Sequence, residues 1–200
     1  MPGQSPSRST VFADALVRLF LVLGIGFSLY FVGSGAVAAI RGNSHDVTVH
    51  QEFDLEAPDS LPPDTFAGTV RVPVTFVVQD ASPKQIWYSV GRDLAPAVLF
   101  IAILWFLHRL LDSVRDGDPF NSSNVRRLRT IGLLLLAGAP IAKLVRSGFE
   151  QALASSTTGA GSGLSFSIPG DALIAGLGVF VLAQVFAHGV RLREDAEGTV

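Results

Sequence analysis

The chain has 200 residues, 48% of them hydrophobic and 16% charged, and its mean hydropathy of +0.44 is too high for an ordinary soluble domain. The formal net charge of -2 supplies no general basic surface, so direct nucleic-acid binding is not expected. The absence of cysteine excludes disulfides, thiolate metal sites and cysteine nucleophiles.

Residues 1–18 form a short leading segment with Arg8 and Arg18. Residues 19–40 ("LFLVLGIGFSLYFVGSGAVAAI") carry no charge and exceed the roughly 20 residues a helix needs to cross a bilayer. "AVA" at Ala36–Ala38 has the form of a signal-peptide cleavage site. The run is longer than the roughly 7 to 15 residues of a signal core, however, so a retained anchor is expected.

Residues 41–93 are long for a connector. "DVTVHQEF" and "GTVRVPVTFVV" alternate at period two, with turn-forming "EAPDSLPPD" between them, which predicts a small antiparallel sheet within 46–80. Val47, Val49 and Phe53 share one strand face, as do Val70, Val72, Val74 and Phe76. Pro73 lacks a donor and predicts an edge or a bulge in its strand.

The second span is read at 94–111, with His108 and Arg109 near its end. A basic loop follows at 112–130, then a third span at 131–149 interrupted by Pro140, Lys143 and Arg146. Residues 150–172 contain "SSTTGAGSGLSFSIPG", a composition that predicts a flexible loop. The fourth span is 173–190, with Gln184 and His188 inside it, and an acidic tail occupies 191–200. Small residues four apart, at Gly24 and Ser28, Ala172 and Gly176, and Ala183 and Ala187, mark faces where helices can approach closely.

Nine arginines fall at the N-terminus, in the 112–130 loop with Arg109, and in the tail, whereas the 41–93 loop sets four basic residues against eight acids. The positive-inside rule therefore predicts both termini and the 112–130 loop in the cytoplasm. The expected fold is a membrane all-α bundle of four transmembrane helices, with a small extracytoplasmic β insertion between helices 1 and 2.

The stretch "GDPFNSSNVRRLRTIG", residues 117–132, has its own logic. Asp118-Pro119 favours a turn, after which Asn121 or Ser122 can cap a helix. Val125, Leu128 and Ile131 then form an apolar stripe, and Arg126 and Arg129 lie together on another face with Arg127 beside them. Arginines so placed anchor a loop against anionic headgroups or present guanidinium groups to a partner. The tail "RLREDAEGTV" holds Glu194, Asp195 and Glu197 directly after the last span. The two segments are expected to form one cytoplasmic surface on which Arg126, Arg127 and Arg129 pair with those acids.

The turn motif and the chain end "LREDAEGTV" on a four-span frame resemble the DUF2975 family of bacterial membrane proteins. The resemblance rests on Gly117, Asp118, Pro119, Phe120, Asn124, Arg126, Arg127, Leu128 and Arg129, then on Leu192, Arg193, Asp195, Thr199 and Val200. Many relatives carry proline and glutamate where this chain has Ser122 and Ser123, and leucine in place of Gly198. The resemblance implies the bacterial plasma membrane, no established activity, and a small cytoplasmic DNA-binding regulator of the helix-turn-helix class as partner.

No serine, histidine and acid fall into a catalytic pattern, and neither an enzyme nor a cofactor site is expected. His45, Asp46 and His50 are poorly spaced for one metal, since residues 45 and 50 point to opposite faces of a strand. His108, Gln184 and His188 are the candidate intramembrane polar groups. Two function classes follow. The first is a non-enzymatic sensor or regulatory protein with a cytoplasmic interaction surface at Asp118, Pro119, Phe120, Asn124, Arg126, Arg127, Arg129, Arg193, Glu194, Asp195 and Glu197. The second is a small transporter, permease subunit or immunity-type protein, which requires ionisable groups near mid-membrane; here the candidates sit near span ends.

Overall fold

The structure is a computed structural model and describes residues 8–42, 45–55, 70–116, 118–159 and 167–198. The turn expected between the strands, Gly117, the glycine-rich part of the loop at 160–166, and Thr199 and Val200 lie outside the described residues, as do the side chains of Phe53 and Glu197. The elements run α1 (Arg8–Arg41), β1 (Val47–Leu55), β2 (Val70–Val78), α2 (Pro83–Arg115), α3 (Ser122–Leu133), a π-helical turn (Leu134–Gly138), α4 (Ala139–Thr158) and α5 (Gly170–Glu197).

Four helical stretches are long and apolar enough to cross a membrane: Arg18–Arg41, Pro83–Arg115, Ser122–Thr158 and Gly170–Ala196. Their large apolar side chains face outward, among them Phe27, Tyr30, Ile174 and Val181, each more than 60% exposed. So much contiguous apolar surface belongs in lipid. The chain is a mostly helical multi-pass membrane protein.

All four helical stretches extend beyond the spans expected from sequence, α1 back to Arg8 and α5 on to Glu197, and in two of them the side chains show why. The sequence places residues 83–93 in a β-rich loop, but α2 already starts at Pro83. Ser82 and Gln85 form a reciprocal capping box: the Gln85 amide donates to Ser82 Oγ at 3.4 Å, and Gln85 Oε1 accepts from the Ser82 amide at 2.9 Å. Proline at the first helical position completes the start signal. Similarly, the "SSTT" of the expected flexible loop is the last turn of α4. Ser156 Oγ and Thr157 Oγ1 donate back to the Leu153 carbonyl at 2.7 and 2.9 Å, and Thr158 Oγ1 donates to that of Ala154 at 3.0 Å. These hydroxyls bond back to carbonyls of their own helix. Gly159 ends it with φ +70, a conformation glycine adopts without strain.

Pro140 does not break the third helical stretch. It has no N–H for the carbonyl four residues back, and the preceding turn widens into the π turn, where the Ala139 amide reaches the Leu134 carbonyl.

The chain divides into two compact units. The first contains Met1–Tyr30, Leu94–Leu144 and Ser167–Val200. Within it, α5 lies so close to α3 and the π turn that a Cβ built on Gly132 would meet the Phe180 ring at 2.5 Å, and one on Gly176 would meet Leu136 at 2.8 Å. Gly24 faces Phe100 in the same manner, and Ala183 is fully buried. The small residues singled out at 24, 176 and 183 are thus at packing seams.

The second unit contains Phe31–Asp93 and Val145–Phe166. Its strands pair antiparallel from Val47 opposite Val78 to Leu55 opposite Val70. This register brings the two apolar faces expected from sequence onto one side, with Val49 opposite Phe76. Val47 and Val49 are buried against Ala39, Ala81, Ile86, Leu153 and Ala154, while Phe76 stays 36% exposed. Pro73 sits opposite Glu52 in an unbroken register, tolerated because a two-stranded sheet has only edge strands. Arg92 is buried; its Nη1 donates to the Thr48 carbonyl at 2.7 Å and its guanidinium is paired with Asp93, which ties α2 to β1. The sequence gives no sign of this role.

Candidate functional site

The turn between α2 and α3 is built around one fully buried polar side chain, Asn124. Asp118-Pro119 bends the chain, and Asn121, in extended conformation, caps α3 by accepting the Asn124 amide at 2.8 Å. Of the two caps allowed by the sequence, Asn121 is the one used. The Asn124 side-chain amide donates to Ser113 Oγ at 2.9 Å and to the Pro119 carbonyl at 2.9 Å, while its Oδ1 accepts from Arg127 Nη1 at 2.8 Å. Asn121 Nδ2 donates to Ser113 Oγ and the Asp118 carbonyl, both at 2.8 Å. Each buried polar group in this lock has a partner, as a low-dielectric site requires. Ser113, on α2, was not singled out in the sequence.

Arg127 belongs to this lock. Its Nη1 also donates to the Arg109 carbonyl at 2.7 Å, near the C-terminal end of α2, where a cation is favoured. The expected grouping of three arginines therefore splits: Arg126 and Arg129 stand exposed on one face, and Arg127 turns inward. The spacing carried this signal, since Asn121, Asn124 and Arg127 are each three apart and share a helix face.

The turn and the tail meet, with charges crossed relative to expectation. The acid comes from the turn and the arginine from the tail: Arg193 Nη1 is hydrogen-bonded to Asp118 Oδ1, 75 residues away in sequence. Arg126, Arg127 and Arg129 form no ion pair with Glu194 or Asp195 among the described residues. Phe120 reinforces the junction, its ring 5.3 Å from that of Phe186 and packed on Gly189. A Cβ at residue 189 would come within 2.7 Å of that ring, so the glycine permits the approach. Glu194 lies with Arg126 and Arg129 along the groove between α3 and α5.

The intramembrane polar candidates do not converge. Gln184 and His188 are exposed on α5. His108 is half-buried on α2, with Nε2 3.7 Å from Asp112 Oδ2, and Asp112 also lies 3.6 Å from Arg18 Nη2. In the second unit, His50 Nδ1 meets Thr75 Oγ1 at 3.1 Å, and the His45 carbonyl accepts the Ala81 amide at 3.2 Å. The His50 ring thus bridges the two strands, while His45 contributes only its backbone carbonyl.

A family model described as "Protein of unknown function (DUF2975)" matches residues 71–200, more than half of the chain. The chain belongs to the DUF2975 family. The matched stretch includes the Asn124 lock, the Asp118–Arg193 contact and α5, and it starts inside β2, so α1 and β1 lie outside it. No curated protein and no solved structure matches the chain.

Proposed function

We propose that this DUF2975 protein is a non-enzymatic sensor or regulatory protein of the bacterial plasma membrane. Both termini and the turn at 112–130 face the cytoplasm in this reading, and the 41–93 segment with its two-stranded sheet faces outward as the sensing element. The cytoplasmic turn and tail hold a small helix-turn-helix regulator. The observation that carries the proposal is the joining of turn and tail into one surface by Asp118, Arg193 and Phe120. A buried, fully hydrogen-bonded asparagine beneath a mere connector has no purpose in spanning a bilayer, whereas it presents a surface in one fixed form. The outward position of Gln184 and His188 favours this reading over a transport path, which requires polar groups to line an interior.

Topology is tested by cysteine labelling, since the native chain has no cysteine. A membrane-impermeant maleimide should label Thr75→Cys on intact cells and Ser122→Cys only after permeabilisation; the reverse pattern overturns the orientation. The regulator is tested by its retention on membranes carrying the native chain. Asp118→Arg should lower that retention, and equal retention would leave the arginines as topology anchors and remove the regulator from the proposal.

A further inference from the structure

The groove between α3 and α5 has a composition the turn-tail junction does not explain. Val125, Ala187 and Val190 form its floor, and Arg126, Arg129 and Arg191 stand along it, with Glu194 the single acid among the described residues. Arg129 and Arg191 make no hydrogen bond or ion pair among the described residues, and Arg126 makes only a 3.5 Å contact with Ser123 Oγ. Arg127, by comparison, commits its Nη1 to the Arg109 carbonyl and Asn124 Oδ1. Among the described residues, the three guanidinium groups thus leave nearly all their donors unused. The groove also lies where uncharged helix gives way to charge: residues 131–142 and 172–190 hold no acid, lysine or arginine, and Arg129 and Arg191 stand at their edges.

We propose that this groove binds one anionic phospholipid, with its phosphate held by Arg126, Arg129 and Arg191 over the apolar floor and an acyl chain leaving past Ala187 along the uncharged part of α5. Charge complementarity and the apolar floor both select this occupant. A phosphate diester accepts bidentate hydrogen bonds from planar guanidinium groups. A floor that continues into membrane-spanning helix gives an acyl chain a path that a soluble anion would not need. Glu194 sets the limit on affinity, since its carboxylate repels the phosphate. The site shares Arg126, Arg129 and Glu194 with the surface offered to the regulator, but it requires only that the helices span the bilayer and is tested without the regulator.

The test uses the full chain in detergent, titrated with dioleoyl phosphatidylglycerol or dioleoyl phosphatidylcholine and read by native mass spectrometry. One phosphatidylglycerol adduct should persist where phosphatidylcholine dissociates. A guanidinium beside an anionic lipid is worth on the order of a five-fold change in binding, so Arg126→Gln with Arg129→Gln and Arg191→Gln should lose at least roughly a hundred-fold. Arg146→Gln, whose native side chain already pairs with Glu150 at 3.2 Å, should bind as the native chain does. Glu194→Gln should bind more tightly, a gain that misfolding cannot produce. Equal retention of the two lipids, undiminished binding by the triple variant, or unchanged binding by Glu194→Gln would overturn the proposal. Displacement of the lipid by glycerol phosphate at equal concentration would also overturn it, as the site would then serve a soluble anion.

Discussion

The sheet unit and the turn-tail junction differ in the kind of side chain buried at their centres. In the sheet unit a β-hairpin too small to be stable alone is held by apolar burial: Val47, Val49, Ile86 and Leu153 each lose at least 99% of their exposure. At the junction the most deeply buried side chain is an asparagine, hydrogen-bonded to Ser113, Pro119 and Arg127, beside the apolar stripe of Val125, Leu128 and Ile131. Apolar burial tolerates exchange of one aliphatic residue for another of similar volume, whereas the polar lock admits only a side chain with two donors and an acceptor in fixed places. The difference teaches where sequence constraint should be strict, and the family match covers the whole lock while omitting β1.

The largest effect should come from the apolar side of this comparison. Leu153 is completely buried between the strands and α2, and Leu153→Ala should destabilise the second unit by about 2–5 kcal/mol through lost contacts and a residual cavity. Amide exchange in nanodiscs is the measurement. Protection should fall across β1 and β2 while the 118–133 segment keeps its own. Equal loss in both regions would mean that the two are not separately held.

Asn124→Ala should come next, at roughly 2–3 kcal/mol, because it strands the Pro119 carbonyl and one donor of Arg127 without water to replace the partner. Asn124→Asp sharpens the point. It keeps the volume and the acceptor for Arg127 but loses both donors, so it should not rescue. If Asn124→Leu proved as stable as the native chain in thermal unfolding, the lock would be ordinary core and the contrast with the sheet unit would disappear.

These differences also explain what the sequence disclosed. The four apolar helices were legible because a long uncharged run has few meanings, and the strands because alternation at period two survives any context. The helical start at Ser82–Gln85 is legible in principle, being a capping box with proline in place ahead of the uncharged run at 94. The inward turn of Arg127 was legible in the three-residue spacing of Asn121, Asn124 and Arg127, whereas Ser113 and Arg92 depend on partners on other elements: Arg92 meets Thr48 across 44 residues. The direction of pairing at the tail was invisible for a further reason. A charge count gives acids in the tail and arginines in the turn, but the Asp118–Arg193 contact joins the minority charge of each segment.

That contact is where the smallest stability effect is expected. The two side chains are 47% and 51% exposed, so solvent and salt screen the pair, and its coupling should be at most about 1 kcal/mol. A double-mutant cycle with Asp118→Asn and Arg193→Gln, followed by thermal unfolding at low and high salt, measures it. Coupling near zero at high salt with an unchanged Asn124 lock would show that the hydrogen-bonded core of the turn alone fixes the junction. Larger coupling that resists salt would place Asp118 and Arg193 in a drier site than their exposure suggests. Either result decides how easily a partner can part the tail from the turn, since an exposed pair opens at little cost while the lock beneath it remains closed.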